Sequence, residues 1–215
     1  MTVAELVNYF DLLQDKYGSP YFTTSEKETF LTQAQLDLIS KYLPQDGGPE
    51  NAERNANNSM VLSPISFSVS TSMDTSGVIT KASVESSLST ALGFTATIIR
   101  PSSITWSDSD GMRPVMGPTR QNNWAKYQDN AFKDPVVSEP RYYETAVSYI
   151  IDPVNVNATI VINGLRYPKA INVAGNQTSE LASIYHTEVV ARALEIAGVG
   201  SRDQMLSELK KLNGV

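Results

Sequence analysis

The sequence predicts an α+β fold: an antiparallel helical bundle, formed by N- and C-terminal helices, with a β-rich insertion and long loops. Three observations predict it. Apolar residues recur at three- and four-residue spacing before Pro44 and again after Asn176, which is the period of one helix face. Between Val61 and Arg166 apolar and polar residues alternate, the period of a half-buried strand. Helices at both ends must bury their apolar stripes, and packing them on one another is the simplest way to do so. The expected division is a helical unit of residues 1–44 and 176–215 and a β-containing insertion of residues 45–175 with extended arms.

Residues 2–17 are predicted as an amphipathic helix, with Val3, Leu6, Val7, Phe10 and Leu13 on one face. Gly18 and Pro20 stop it. Ser25 and Glu28 have capping-box spacing and open a second helix that runs to about Leu43. Its apolar positions include Phe30, Leu31, Ala34, Leu38, Ile39 and Tyr42. The short turn between the two helices implies a helical hairpin. Residues 45–59, rich in Gly and Asn, read as an exposed linker.

Beyond the linker Val61, Ile65, Phe67 and Val69 alternate with serines, as in a strand with one buried face. Asp74-Thr75-Ser76-Gly77 is a turn, after which Val78-Ile79-Thr80 resumes the chain, and Ala96 to Arg100 is a short strand. Pro101 to Asn123 is poor in apolar residues and is expected to be a long loop, either disordered or ordered by a partner. Tyr142 to Ile151 and Ala158 to Arg166 are the strongest strands, with Asn163-Gly164 suited to a tight hairpin turn. A third helix is expected over about Ser179 to Ala197, opening around Glu180 and Leu181. A short fourth is expected over about Ser201 to Leu212, where Ser201 and Gln204 repeat the capping-box spacing.

Composition narrows the function. The chain has 215 residues, 17 basic and 23 acidic, for a net charge of −6. That balance argues against a nucleic-acid surface as the main function, because such surfaces cluster Lys and Arg against phosphates. With no cysteine, a disulfide framework and a thiolate zinc site are excluded. Met1-Thr2-Val3-Ala4-Glu5 has neither the basic start nor the apolar core of a signal peptide, and no apolar run approaches the ~20 residues that span a membrane. The sequons at Asn57, Asn157 and Asn176 carry little weight without a secretory signal. A chain made in a cytoplasm is expected.

No catalytic constellation stands out. His186 is the only histidine; Glu188, two residues on, faces elsewhere on a helix. HExxH needs two histidines, so His186 is expected in a structural or interface role. Asp108-Ser109-Asp110-Gly111 starts like a calcium loop but lacks the later bidentate acid, and reads as a turn. Phosphate loops and the GxSxG elbow are missing. No enzymatic residue, cofactor or metal is expected. Trp106, Trp124, Tyr127 and Phe132 sit in or near the long polar loops, where packing against a neighbouring chain, or against the β region itself, is the favoured use. Met205, Leu206, Leu209 and Leu212 form a stripe for a core or a subunit contact.

The opening AELVNYFDLLQDKYGSPYFTTSEKETFLTQAQLDLISKYL resembles the start of neck proteins of tailed bacteriophages. GLRYPKAINV and SELASIYHTEVVARALEIA resemble their end, through Arg166, Pro168, Lys169, Glu180, Leu181, His186, Glu188, Val189, Val190 and Ala193. The resemblance is to head-to-tail adaptor (connector) proteins of podovirus-like or crAss-like phages. It implies a structural, non-enzymatic virion protein: a homo-oligomeric ring, a dodecamer, that joins the portal to the tail and continues the DNA channel. Implied partners are the portal protein and adjacent neck or tail proteins, with at most transient, non-specific contact with DNA and none with a membrane. The implied place is the virion neck, after assembly in the host bacterial cytoplasm. The residues expected at interfaces are Trp106, Met112, Trp124, Arg166, Lys169 and His186, and the polar loops at 45–59 and 101–125 are expected to be contact arms. The alternatives are another virion component, such as a tail or head-completion protein, and a carbohydrate-binding module anchored on Trp106 and Trp124.

Overall fold

The computed structural model describes residues 1–16, 21–43, 61–109, 111–115 and 135–199. Among these the chain is mixed α+β. Four helices, α1 (Val3–Lys16), α2 (Thr24–Tyr42), α3 (Lys81–Leu92) and α4 (His186–Ile196), accompany two antiparallel sheets. The chain divides into two compact units, Met1–Ile65 with Pro168–Val215, and Ser66–Tyr167.

In the first unit, α1 starts at a capping box: the Glu5 amide donates to Thr2 Oγ1 at 3.2 Å and the Thr2 amide to Glu5 Oε2 at 2.8 Å. Val3, Leu6, Phe10 and Leu13 are buried, and Val7 is half-buried at the rim of the stripe. The box of α2 is Thr23 with Glu26, not Ser25 with Glu28. An N-cap residue must be extended, and Thr23 is, at φ −68° and ψ 159°. Ser25 already lies inside the helix, where its carbonyl accepts from Thr29 Oγ1. Phe22 stands edge-on to both Phe10 and Phe30, at 6.1 and 5.2 Å between centroids, and Lys27 meets Asp11 at 2.5 Å. Together these contacts clamp α1 to α2.

α4 packs against both α1 and α2 through Val189, Val190, Ala193 and Leu194, all buried. It begins seven residues later than Ser179, at His186, after a 3-10 turn over Ser183–Tyr185. Glu180 and Ser179 are engaged by α2 instead, as described below, which keeps them out of the helix. Gly198, at φ +75°, terminates α4, and the Val199 amide returns to the Leu194 carbonyl at 2.9 Å. Gly18, Pro20, the linker 45–59 and the expected helix 201–212 lie outside the described residues.

In the second unit one sheet has the order β1 (Ser66–Ser72), β7 (Thr159–Arg166), β3 (Ile98–Asp108), β4 (Gly111–Pro114). The other has the order β2 (Val78–Thr80), β6 (Ser148–Asp152), β5 (Arg141–Glu144). Both sheets and α3 contribute to one core, which includes Phe67, Ile79, Val84, Leu88, Trp106, Tyr149 and Ile160. The expected turn at Asp74–Gly77 is present: Asp74 Oδ1 accepts from the Ser76 and Val78 amides, each at 2.8 Å. Val61 and Ile65 are buried but precede the strand, which starts at Ser66.

Four expectations are corrected here. α3 was not anticipated; its apolar stripe is reduced to Val84 and Leu88 among serines, and Thr80 and Gly93 cap it. The stretch from Pro101 is not a loop: β3 continues through it to Asp108 and turns into β4 at Gly111, φ +119°. Tyr142 to Ile151 is two strands, β5 and β6, joined by a turn in which Thr145 Oγ1 accepts from the Ser148 amide. Asn163-Gly164 is not a turn but mid-strand, opposite Ser68 and Phe67 on one side. A Cβ on Gly164 would lie 2.5 Å from the Arg100 carbonyl and 3.0 Å from the Phe67 ring. The glycine is there for close approach of strand and ring, not for a positive φ.

Two outcomes follow. Gly164→Ala should cost about 1–3 kcal/mol in urea unfolding, because backbone has to move to admit the methyl group. Phe10→Ala, which removes a fully buried ring from the α1–α2 clamp, should cost about 3–5 kcal/mol in the same assay.

Candidate functional site

The segment Pro168–Val173 has no strand partner along α2, yet its alternate amides are all satisfied. Lys169 N–H donates to Glu180 Oε2 at 2.7 Å, Ile171 N–H to Thr32 Oγ1 at 3.0 Å, and Val173 N–H to Glu28 Oε1 at 2.6 Å. Gln35 Nε2 donates to the Lys169 carbonyl at 3.1 Å. Glu28, Thr32 and Gln35 stand one helical turn apart on one face of α2. That polar stripe takes the place of a neighbouring strand. The far edge is closed by Asn172 and Gln177, whose backbones exchange bonds of 2.9 and 2.8 Å.

Gln35 also receives the next segment. Its Oε1 accepts from Ser179 Oγ at 2.7 Å and from the Glu180 amide at 3.0 Å. Gln35 is fully buried and Ser179 nearly so. One amide side chain therefore ties residues 169, 179 and 180 to the middle of α2.

His186 lies at the next step along the chain. It is buried, with 3% of its surface exposed. Nε2 is 2.9 Å from the Leu181 carbonyl, so that nitrogen carries the proton. Nδ1 is buried without a hydrogen-bond partner. Burial pushes the imidazole pKa down, against the opposing pull of the Leu181 carbonyl; the nearby N-terminal ammonium adds to the depression.

The outer surface of α2 and α4 carries charge. Arg192 donates to Asp37 Oδ2 from Nε and Nη2, at 3.1 and 2.8 Å, and from Nη1 to Glu195 Oε2 at 2.6 Å. Asp37 is held below the usual carboxylate range: partial burial pushes the other way but is outweighed by the bonds from Arg192 and Gln33. Tyr42 and Tyr185 meet edge to face at 5.8 Å, and Ile184, next in sequence to Tyr185, is 69% exposed.

The residues expected at interfaces are placed as follows. Lys169 and His186 meet the same short stretch, residues 180 and 181, but through the Lys169 backbone and the His186 ring. Trp106 is not in a loop and not at a surface: it is fully buried on β3, and its Nε1 donates to Asp108 Oδ2 at 2.8 Å. The reason is register, since Ile104 and Trp106 face the core while Thr105 and Ser107 do not. Met112 is on β4, opposite Ser107 and 69% exposed. Arg166 is buried, with its guanidinium over the Phe94 ring at 5.1 Å. Trp124, Tyr127 and Phe132 lie outside the described residues, as do Met205, Leu206, Leu209 and Leu212.

Sequence reasoning missed Glu28, Thr32 and Gln35. Their spacing is visible as a polar stripe, but nothing in it announces that the ligand is the chain's own backbone. The arrangement holds peptide: Glu28 and Glu180 each place a carboxylate oxygen on a backbone amide. Among the described residues no group of three or more His, Asp or Glu side chains could hold a metal ion, and no helix is long and apolar enough to cross a membrane. No family model matches the chain, and no curated protein matches it.

Gln35→Leu leaves Ser179 Oγ, the Glu180 amide and the Lys169 carbonyl without this partner. The expected loss is about 3 kcal/mol or more, with hydrogen exchange at Glu180 accelerated. His186 sets a pH dependence. Its folded-state pKa is below the ordinary 6.5, so the unfolded chain takes the proton first as pH falls. The stability contributed by the neutral ring is complete above pH 6.5 and is lost as pH drops towards the folded-state pKa, with a limiting slope of about 1.4 kcal/mol per pH unit. Denaturation curves of His186→Gln should be flatter than wild type in that window.

Proposed function

We propose that the protein is a non-enzymatic structural component of the neck of a tailed bacteriophage. It forms a homo-oligomeric ring, a dodecamer, that joins the portal to the tail and continues the DNA channel. In this reading the N- and C-terminal helices form the bundle that packs side by side around the ring. The β-rich insertion and its arms reach the portal and the adjacent neck or tail proteins. The ring is assembled in the bacterial cytoplasm and resides in the virion neck.

One observation carries the reading. The two segments that resemble neck proteins are far apart in sequence, and they meet in one unit. Glu28, Thr32 and Gln35 come from the N-terminal segment; the backbone of Lys169, Ile171, Val173 and Glu180 comes from the C-terminal one. Because the two segments hydrogen-bond to each other, the resemblance at the two ends is read as a single feature. The net charge of −6 suits a channel wall that must let phosphates pass rather than grip them. Trp106 offers no sugar-stacking face, being fully buried, which removes one anchor of the carbohydrate-binding alternative.

The test is co-expression with the portal protein encoded in the same genome, followed by negative-stain imaging. Closed rings of this chain, stacked on portal rings, are expected. A chain that neither closes into rings nor binds the portal, or that labelled antibodies locate in the virion away from the neck, would overturn the reading.

A further inference from the structure

His186 is the one histidine of the chain, and the fold puts it where a positive charge is disfavoured. The ring is buried. It belongs to the first residue of α4, and no side chain caps that helix end, whose dipole repels a cation. Nε2 spends its proton on the Leu181 carbonyl, and Nδ1 makes no hydrogen bond. A second proton would sit on Nδ1, inside the core. Burial opposes it most, and the N-terminal ammonium opposes it too; the backbone at Leu181, Ser179 and Met1 favours it but is outweighed.

Among the described residues no carboxylate bonds the ring. Glu5 of α1 is turned to the Thr2 amide, and Glu180 to the Lys169 amide. Asp37 of α2 holds Arg192, and Lys41 of α2 lies 3.8 Å from Glu188 of α4. A buried, unpaired cation is costly, so a protonated ring is stable where water reaches it.

The surroundings set what can move. The chain just before His186 is a 3-10 turn over Ser183–Tyr185, with Ser183 and Ile184 exposed. Two backbone bonds hold it: Tyr185 N–H donates to the Ala182 carbonyl at 2.9 Å, and His186 N–H donates to the Ser183 carbonyl. Segments with few buried contacts and exposed backbone bonds open first. On either side the chain is fixed. Ser179 and Glu180 are bonded to Gln35, and Val189 and Val190 are buried.

We propose that residues 181–187 form an acid-released latch: a proton on His186 drives the ring out of the helical core, frees the Leu181 carbonyl and unwinds the 3-10 turn, while α1, α2 and the rest of α4 stay packed. The proton is taken up at Nδ1, and the Nε2 bond to Leu181 is exchanged for bonds to water. Opening draws the buried Leu181 towards solvent and parts Tyr185 from Tyr42. The latch does not rest on the neck reading and operates whether or not the chain forms a ring. An exposed ring takes its proton near pH 6.5, and the buried ring takes it only at lower pH. The latch is therefore closed above pH 6.5. As pH falls below that, the opening equilibrium rises by up to about tenfold per pH unit, until the buried ring titrates as well.

The test uses the full chain. With one histidine, the imidazole gives a single C2–H resonance, whose midpoint should lie below pH 6.5. Hydrogen exchange, corrected for its intrinsic pH dependence, should show protection at the Tyr185 and His186 amides falling by up to about tenfold per pH unit in that window. The Leu13 and Leu38 amides of α1 and α2 should keep theirs. His186→Gln keeps a donor for the Leu181 carbonyl but does not titrate, so the pH dependence at Tyr185 should vanish. A ring that titrates at or above pH 6.5 would overturn the proposal. So would protection at Tyr185 and His186 that stays level through the titration, since the Met1 or Ser179 carbonyl would then be holding the charged ring in place. Loss shared equally by Leu13 and Leu38 would make the event global unfolding, and the same loss in His186→Gln would assign it to carboxylates such as Glu28 and Glu180; either outcome rejects the latch. The wild-type titration and exchange decide the matter even where the Gln variant fails to fold.

Discussion

The first unit depends on one helix face serving as a strand. Buried backbone amides must be bonded or the fold loses the cost of desolvating them. The segment from Lys169 to Val173 meets that demand with side chains: Glu28, Thr32 and Gln35 supply at helical spacing what a strand would supply at a spacing of two. The match is approximate in any such pairing, because one turn of helix rises 5.4 Å and two residues of strand about 6.6 Å. It therefore holds over only a few residues. The segment turns back soon after, at Asn172 to Gln177, where the backbone closes on itself.

That ladder explains the late start of α4. Glu180 and Leu181 carry the apolar and acidic pattern of a helix N-terminus, and local propensity favours a start there. Glu180 instead holds the Lys169 amide while its own amide is held by Gln35. A residue fixed at both ends by tertiary bonds has no freedom to wind into the helix, so winding is deferred to His186. The His186 ring then caps the arrangement by bonding the Leu181 carbonyl. A single buried glutamine and a single buried histidine thus set where the C-terminal segment is extended and where it is helical.

Much of this was legible in the sequence, and the failures have a common cause. The stripe of Val3, Leu6, Phe10 and Leu13 and the turn at Asp74–Gly77 read correctly because their periodicity or turn chemistry is local. The box at Ser25 and Glu28 was misread because Thr23 and Glu26 share its spacing, and only the backbone geometry decides between them. β3 was hidden because Pro101 to Ser103 breaks its register and dilutes its alternation. Asn163-Gly164 looked like a turn because a glycine needed for Arg100 and Phe67 is indistinguishable, in sequence, from one needed for a positive φ. α3 was invisible for a third reason: two apolar residues suffice for a helix that lies on a core already filled by two sheets. For the interface residues the sequence supplied chemical type but not side. Trp106 and Met112 are six residues apart, on paired strands, and face opposite ways.

The polar residues that would first suggest chemistry are in structural use. Glu26 closes a cap, Glu28 and Glu180 hold amides, Asp108 takes the indole N–H of Trp106, and Asp74 shapes a turn. For Glu26 the bonds from the Thr23 amide and hydroxyl hold the carboxyl below its ordinary pKa. The same economy points to where the chain can act. Among the described residues the exposed apolar side chains include Met112 near the turn between β3 and β4 and Ile184, next in sequence to Tyr185. Aromatic and Met side chains are enriched where protein surfaces join.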